Sequence, residues 1–252
     1  MRLVGRARIA VWEGGGLWFI EAIEGLGEVP LHAHHAIQVA FLLDGAMTIG
    51  APGTEFGQSI VAVDADATHR LALSGSAALL FIDPESTDGR AMKAGLLRER
   101  RITAIEPDSL AGEIDALRSA WCDRRPTDVF RPLGQRLTEA LTGGTRATPT
   151  DPRVAGIIAG LADRLDRPLS LSEAARGIYL SPSRLRHLFV EQTGLPFKSY
   201  LLWRRLMKAV EVFSAGATLT DAAHAAGFAD SAHLSRTCRR MFGLPASALE
   251  YV

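Results

Sequence analysis

The chain has 252 residues, 47% of them hydrophobic and 22% charged, with 28 Lys+Arg against 28 Asp+Glu; that is enough for one large domain or two ordinary ones of roughly 100–150 residues, and it excludes a disordered or low-complexity chain. No apolar run approaches the ~20 residues that cross a bilayer, the first six residues have no apolar stretch behind their charges, and Cys122 and Cys238 stand apart without metal or redox spacing, so a cytoplasmic protein with no membrane partner is expected. The neutral balance conceals an asymmetry: residues 1–90 carry 5 Arg against 11 Asp+Glu (−6), whereas 151–252 carry 13 Lys+Arg against 9 Asp+Glu (+4), which suits the C-terminal part to a polyanion.

Up to about Pro84 the pattern is that of strands. Short apolar segments at 17–23, 37–43, 59–63 and 77–82 are separated by the turn-like groups Gly14-Gly15-Gly16, Asp44-Gly45 and Ala51-Pro52-Gly53, the spacing of a β-sandwich or barrel. Within this region, Gly27, His32, His34, Gln38 and Gly45, with His69 further on, resemble the two motifs of the cupin family, which implies a double-stranded β-helix. His32, His34 and Gln38 are separated by even numbers and share one side of a strand; His69 arrives from a neighbour. Three imidazoles and an amide oxygen suit a divalent metal of the Zn, Ni, Fe or Mn type. Gln38 stands where metal-binding cupins usually have Glu, and Asp64-Ala65-Asp66-Ala67-Thr68-His69 lacks the second motif's Pro and Gly. Three readings therefore stand side by side: a metal-bound sensor pocket, a metal-free pocket that hydrogen-bonds an organic effector, and structural histidines. His35 has the opposite parity and is left out of the pocket.

Helical spacing follows. Leu110, Ile114, Leu117 and Trp121 form one stripe and Phe130, Leu133, Leu137 and Leu141 another, so a helical hairpin is expected over about 105–142, packed on the barrel or on a second subunit. Residues 143–152 hold two Gly and two Pro without hydrophobic periodicity and mark the boundary between a sensor domain, 1–142, and a helical domain, 153–252.

The helical domain matches itself at an offset of 48, then 49, residues. Leu171 pairs with Leu219, Ala174-Ala175 with Ala222-Ala223, Leu185 with Leu234, and Gly194-Leu195-Pro196 with Gly243-Leu244-Pro245, the mark of an internal duplication. Each copy, about 170–192 and 218–242, reads as two short helices around a tight turn. Ser170 and Glu173 form a capping box, small Ala pairs allow close helix approach, and Ser181-Pro182 opens the second helix with a capping hydroxyl and Pro at its first position. Ser183, Arg184, Arg186 and His187 in the first copy, and Ser231, His233, Ser235, Arg236, Arg239 and Arg240 in the second, surround inward Leu and Met residues. Such cationic and hydroxyl faces can donate to phosphates and base edges. An intervening helix over 197–214, about 27 Å long, could hold the two about one duplex turn apart.

The segments Leu180-Ser181-Pro182-Ser183-Arg184-Leu185, Ala226-Gly227-Phe228, His233-Leu234-Ser235-Arg236 and Arg239-Arg240-Met241-Phe242-Gly243-Leu244-Pro245 closely resemble the AraC/XylS family of transcription regulators over the last 100 or so residues. The resemblance implies two helix-turn-helix units reading successive major grooves of double-stranded promoter DNA. By position it places Ser183, Arg186 and His187 in the first unit, and Ser231, Ala232, His233 and Arg236 in the second, where the family contacts DNA; Arg184 and Arg240 join them as DNA-binding candidates from the cationic faces described above. It further implies RNA polymerase as a partner and a small-molecule effector for the N-terminal part. Ala232 departs from a commonly polar position, and Cys238 replaces a usual Phe, leaving that core slightly underfilled. The expected architecture is thus a two-domain α+β chain: a cupin-like barrel with a helical hairpin, then an all-α domain. The expected function is that of an effector-responsive regulator, as a homodimer and not an enzyme; the competing reading is a metal-dependent cupin dioxygenase or isomerase with an accessory helical domain.

Overall fold

The computed structural model describes residues 5–22, 28–145, 147–161 and 164–251; Ile23, Gly27 and Arg146, which belong to the strand, motif and linker readings above, lie outside them. Strands β1 (Gly5–Trp12) and β2 (Gly15–Ala22) form a hairpin, followed by β3 (Val29–His32), β4 (Ile37–Ala51), β5 (Thr54–Phe56), β6 (Ile60–Val63) and β7 (His69–Ile82). The β1–β2 turn needs only Glu13-Gly14, because Gly14 takes a positive φ of 89°. The Pro52-Gly53 turn joins β4 to β5 in the same way.

Asp44-Gly45, expected as a turn, instead lies inside β4. The β4–β7 ribbon runs from the Ile37↔Ile82 pair to the Gly50↔Arg70 pair, with a bulge between Leu42 and Asp44. Just past the bulge Gly45 faces Gly75, both at positive φ (83° and 89°). A Cβ on either would strike the carbonyl of the opposing strand. The two glycines therefore bend the ribbon where a turn would have ended it.

The completed sheet follows the path β8 (Ile102–Ala104), β6, β4, β7, β2, β1, β9 (Leu249–Tyr251), with β3 added to β7 and β5 to β4. Pairing is antiparallel except between β1 and β9. Among the described residues β8 and β9 do not pair with each other, so the expected closed barrel is an open, bent sheet. The reason lies in what fills its two faces. A small barrel packs its interior with its own side chains, whereas here both faces receive helices.

On one face, Leu17, Phe19, Ile37, Val39, Phe41 and Leu80 meet α2 (Ala111–Cys122) and α3 (Phe130–Thr142). The helical hairpin thus packs on its own sheet, burying Ile114, Leu117, Phe130, Leu133 and Leu137. After β7 a short helix, α1 (Thr87–Met92), and a wide turn at Lys93–Leu97 lead to β8, and the hairpin begins only after that strand. The opposite face, with Trp18, Val29, Leu71, Leu79 and Phe81, shares a single core with residues of the C-terminal helices, Trp203, Leu206, Val210, Leu234 and Cys238 among them.

Those helices are α4 (Pro152–Ala159), α5 (Leu171–Gly177), α6 (Pro182–Thr193), α7 (Phe197–Ser214), α8 (Leu219–Ala225) and α9 (Ser231–Phe242). A separate core of Val154, Leu161, Leu165, Leu185, Phe189 and Tyr200 holds α4 to α6 against the start of α7. No helix among the described residues is long and apolar enough to cross a membrane.

Candidate functional site

The duplication seen in the sequence is repeated in the backbone. The pairs α5–α6 and α8–α9 each consist of a seven-residue helix, a tight turn and a twelve-residue helix. Tyr179 and Gly227 occupy the same place in the two turns, both at positive φ (55° and 76°). Gly194 and Gly243 end the two longer helices in the left-handed region. Ser170 accepts from the Glu173 amide while Glu173 accepts from the Ser170 amide, completing the capping box. Ser181 caps α6, and Asp230 caps α9 by accepting from the His233 amide at 2.6 Å. The α9 cap was not anticipated, although Asp230 directly before Ser231 is an ordinary capping residue.

Leu185 and Phe189 bury one side of α6, and Leu234, Thr237 and Cys238 one side of α9. The remaining sides carry cations. Ser183, Arg184, Arg186, His187, Ala232, Arg236 and Arg240 are exposed, while Ser231 and His233 are half-buried. The His233 ring stands edge-on against Phe228, with centroids 5.1 Å apart, which fixes its direction. The 18-residue α7 separates the two pairs.

The histidines come together on the sheet face covered by the C-terminal helices. His32 ends β3 directly opposite His69, the first residue of β7. His34 and Gln38 do not share a strand with His32 as expected, because the chain bends between β3 and β4. The bend nevertheless returns them to the same place: His34 Nε2 lies 3.1 Å from Gln38 Oε1, and one ring nitrogen from each of His32, His34 and His69 lies within 4.8 Å of the other two. All four side chains are buried. Burial, reinforced by His69 and His32, holds His34 well below the usual imidazole range; burial and His32 bring His69 down to about 4. The cluster is therefore neutral at pH 7.

A cavity of about 90 Å³ adjoins it, walled by Trp18, Leu79 and Phe81 of the sheet and by Val210, Cys238 and Phe242 of the helices. The small Cys238 side chain borders this space, so the underfilled position expected from sequence lies at the cavity wall. Burial pushes its thiol up to about 12, which makes it an unreactive wall atom.

A second polar cluster, which sequence patterns did not reveal, joins the sheet to the helices. Asp83 accepts from Arg204 at 3.0 Å and from the Trp203 indole at 3.4 Å, while Glu85 accepts from Tyr200 at 2.6 Å. His35 lies between Glu85 (3.2 Å) and Asp66 (3.3 Å). Burial alone would lower His35, but its hydrogen bonds to the two carboxylates outweigh burial and raise it to about 9. Burial and the nearby Glu85 raise Asp83 to about 6. Arg90, beyond β7, donates to the Gln192 carbonyl at 2.8 Å near the end of α6. The signal open to a sequence reader was Asp83-Pro84-Glu85, two acids directly after the apolar end of β7; their partners on α7 lie more than 110 residues away.

Comparison with known proteins agrees with this arrangement. Residues 174–250 match the sequence family described as a helix-turn-helix domain. The HTH-type transcriptional activator RhaS of Klebsiella pneumoniae is 36% identical over 97 residues, 38% of this chain and 35% of that protein. The HTH-type transcriptional activator RhaR of Pectobacterium carotovorum is 30% identical over 155 residues, 56% of this chain and 52% of that protein. The chain thus spans from about a third to about half the length of these two curated relatives. The fold as a whole is similar to that of ToxT from Vibrio cholerae, at a TM-score of 0.57 and 11% identity over 98% of this chain and 97% of the other. The fold is thus shared over nearly the whole of both chains, and residues 174–250 match the helix-turn-helix domain family.

Proposed function

We propose that the chain is a sequence-specific, DNA-binding transcription regulator whose N-terminal part responds to a small molecule. The observation that carries this reading is the pair of matched helix–turn–helix segments, each presenting a solvated cationic face, held apart by α7. In this reading residues 153–252 form the DNA-binding domain and 1–142 the sensor, joined by 143–152. Ser183, Arg184, Arg186 and His187 enter one major groove; Ser231, Ala232, His233, Arg236 and Arg240 enter the next. Arg supplies bidentate contacts to guanine or single contacts to phosphate, and the Ala232 methyl meets a thymine methyl. Homodimerisation, contact with RNA polymerase and a cytoplasmic location complete the proposal.

The sheet supplies one wall of the effector cavity and the C-terminal helices the other. A ligand filling it contacts both, so its affinity differs between arrangements of the two parts, which is the thermodynamic requirement for a switch. The Asp83–Arg204 and Glu85–Tyr200 contacts define the arrangement that such a ligand would favour or oppose. The ToxT structures include one described as bound to an unsaturated fatty acid; for this chain the apolar wall with polar groups at one end supports a small ligand with an apolar body.

Fluorescence anisotropy of the full chain against DNA upstream of its own and neighbouring genes, with a scrambled duplex as control, tests the function. Saturable preference for one fragment, weakening steeply with salt, is expected. Turnover of a small substrate with no promoter preference at any salt concentration would favour the enzyme reading instead.

A further inference from the structure

The two helix–turn–helix pairs are attached to the rest of the chain in different ways. The second shares one core with the sheet, where Ala222, Leu234 and Cys238 join Trp18, Leu79 and Phe81. The first has a core of its own: Val154, Leu165, Leu185 and Phe189 pack with Phe197, Tyr200 and Leu201 at the start of α7, and among the described residues no residue of the sheet belongs to it. Space, instead, separates the first pair from the N-terminal part. A cavity of about 270 Å³ lies between Trp12 and Gly15 of the β1–β2 hairpin and Ile158 and Leu165 of the first helical unit. A cleft of about 530 Å³ lies between Lys93 and Ala94, just after α1, and Glu191 and Thr193 at the end of α6.

What crosses this gap is polar, and Arg90 stands at its centre. Its guanidinium donates to the Gln192 carbonyl (2.8 Å), to Gln192 Oε1 (3.1 Å) and to the Glu85 carbonyl (3.2 Å). Gln192 Oε1 also accepts from the Asp151 amide (2.9 Å), and the Thr150 hydroxyl donates to the Glu85 carbonyl. One side chain thereby joins the segment after β7, the linker and the last turn of α6. The Gln192 carbonyl is among the last four of its helix and has no partner within it, and a cation at a helix C-terminus is favourably placed. The packing of α6 on α7 is of another kind: the Phe189 ring meets those of Phe197 and Tyr200, each at 5.3 Å. Apolar contacts are non-directional and let packed helices slide by small amounts, whereas hydrogen bonds to a carbonyl fix direction.

We propose that Arg90 is a positioning residue for DNA recognition: it holds α6 in a set direction relative to α9, and so fixes the spacing of the two half-sites that the chain accepts. The inference rests on the DNA-binding reading above. One base pair inserted between half-sites shifts one of them by about 3.4 Å and turns it by about 35°. Two recognition helices in a fixed relation cannot follow that displacement; a loosened α6 can.

The experiment uses the full chain and has two arms. In the first, without DNA, nitroxide labels at the exposed positions Ser183→Cys and Ala232→Cys report the α6–α9 distance by pulsed electron–electron double resonance; a Cys122→Ser background leaves the buried Cys238 as the one native thiol. The distance distribution is expected to be narrow in the parent and at least about twice as wide in Arg90→Ala; an unchanged width overturns the proposal. In the second arm, fluorescence anisotropy compares the promoter fragment that the parent prefers with versions carrying one or two extra base pairs between the segments it protects. Insertion should weaken the parent about tenfold or more and Arg90→Ala by no more than about threefold. The salt slope of the variant on the original fragment should match the parent's, because Arg90 faces Gln192 and not a phosphate. Equal insertion penalties overturn the proposal, and so does a slope shallower by about 0.9, which would make Arg90 a direct phosphate contact. Should Arg90→Ala fail to fold, Gln192→Ala, which loses Oε1 but keeps the carbonyl, is judged in its place by the same criteria. If the parent prefers no fragment, the DNA-binding reading fails, while the label distances still judge the Arg90 contact by themselves.

Discussion

The equivalent glycines of the two repeats allow the contact between the second helical pair and the sheet to be weighed by itself. Gly194 and Gly243 both end a twelve-residue helix at positive φ, 80° and 74°. A Cβ on Gly194 meets nothing within 4 Å, whereas on Gly243 it lies 2.6 Å from Val29 Cγ1 and 3.1 Å from both His32 Nδ1 and the Pro30 carbonyl. Gly194→Ala should therefore cost only the left-handed backbone penalty, about 1–2 kcal/mol. Gly243→Ala should cost that amount and, because two of its obstacles are backbone or a carbonyl-tethered ring, an overpacking term of about 1–3 kcal/mol. The difference is relieved if the end of α9 lifts from β3. Urea unfolding of the two variants and the parent measures the difference. Tryptophan emission reports the lift, because Phe242 packs 4.9 Å from Trp18 and 5.9 Å from Trp203. Equal destabilisation of the two variants, with unchanged emission from Gly243→Ala, would refute the claim that α9 is seated on the sheet.

Three further outcomes are expected. Arg186→Ala and Arg236→Ala, both at exposed positions, should leave thermal stability within about 0.5 kcal/mol and make the slope of log affinity against log salt shallower by about 0.9 for each phosphate that is no longer neutralised; unchanged anisotropy titrations for both would count against the interface. Arg204→Ala strands Asp83, a carboxylate buried beside Glu85, and should cost about 3–5 kcal/mol; adding Asp83→Asn should recover part of that, and strictly additive urea midpoints would show that the pair is not coupled. Phe130→Ala, which removes a fully buried ring 4.7 Å from Phe19 and under the Arg8 guanidinium, should cost about 3–5 kcal/mol in a thermal melt.

What the sequence made legible was whatever depends on local periodicity. The stripes of α2 and α3, the length of α7 and the two capped helix pairs are fixed by residues three or four apart. The central strand segments were legible for the same reason, but their extents were not: the apolar pattern of β4 breaks at Asp44-Gly45, although the ladder to β7 continues through the bulge to Gly50. Pairings between distant segments were hidden, among them β9 on β1 and the Asp83–Arg204 contact, because a three-residue strand and a single carboxylate carry no periodic mark. The histidines were found through motif spacing while the reasoning about one shared strand face failed; a bend, not alternation, returns His34 to His32. His35 falls on the other side and joins Glu85 and Asp66, and only a three-dimensional neighbour could reveal that it is the charged member of the four.

The parallel β1–β9 pair carries one last consequence. Gly5, Arg6 and Ala7 are matched to Leu249, Glu250 and Tyr251, so the first three residues of the sheet's outermost long strand are shielded by residues that follow directly on the second helical pair. Any rearrangement that carries α9 away from the sheet also draws off this cover and bares a run of unpaired amide and carbonyl groups along β1. An uncovered strand edge invites pairing with another chain. In this protein, then, freeing the helices and exposing an adhesive edge are one and the same structural event.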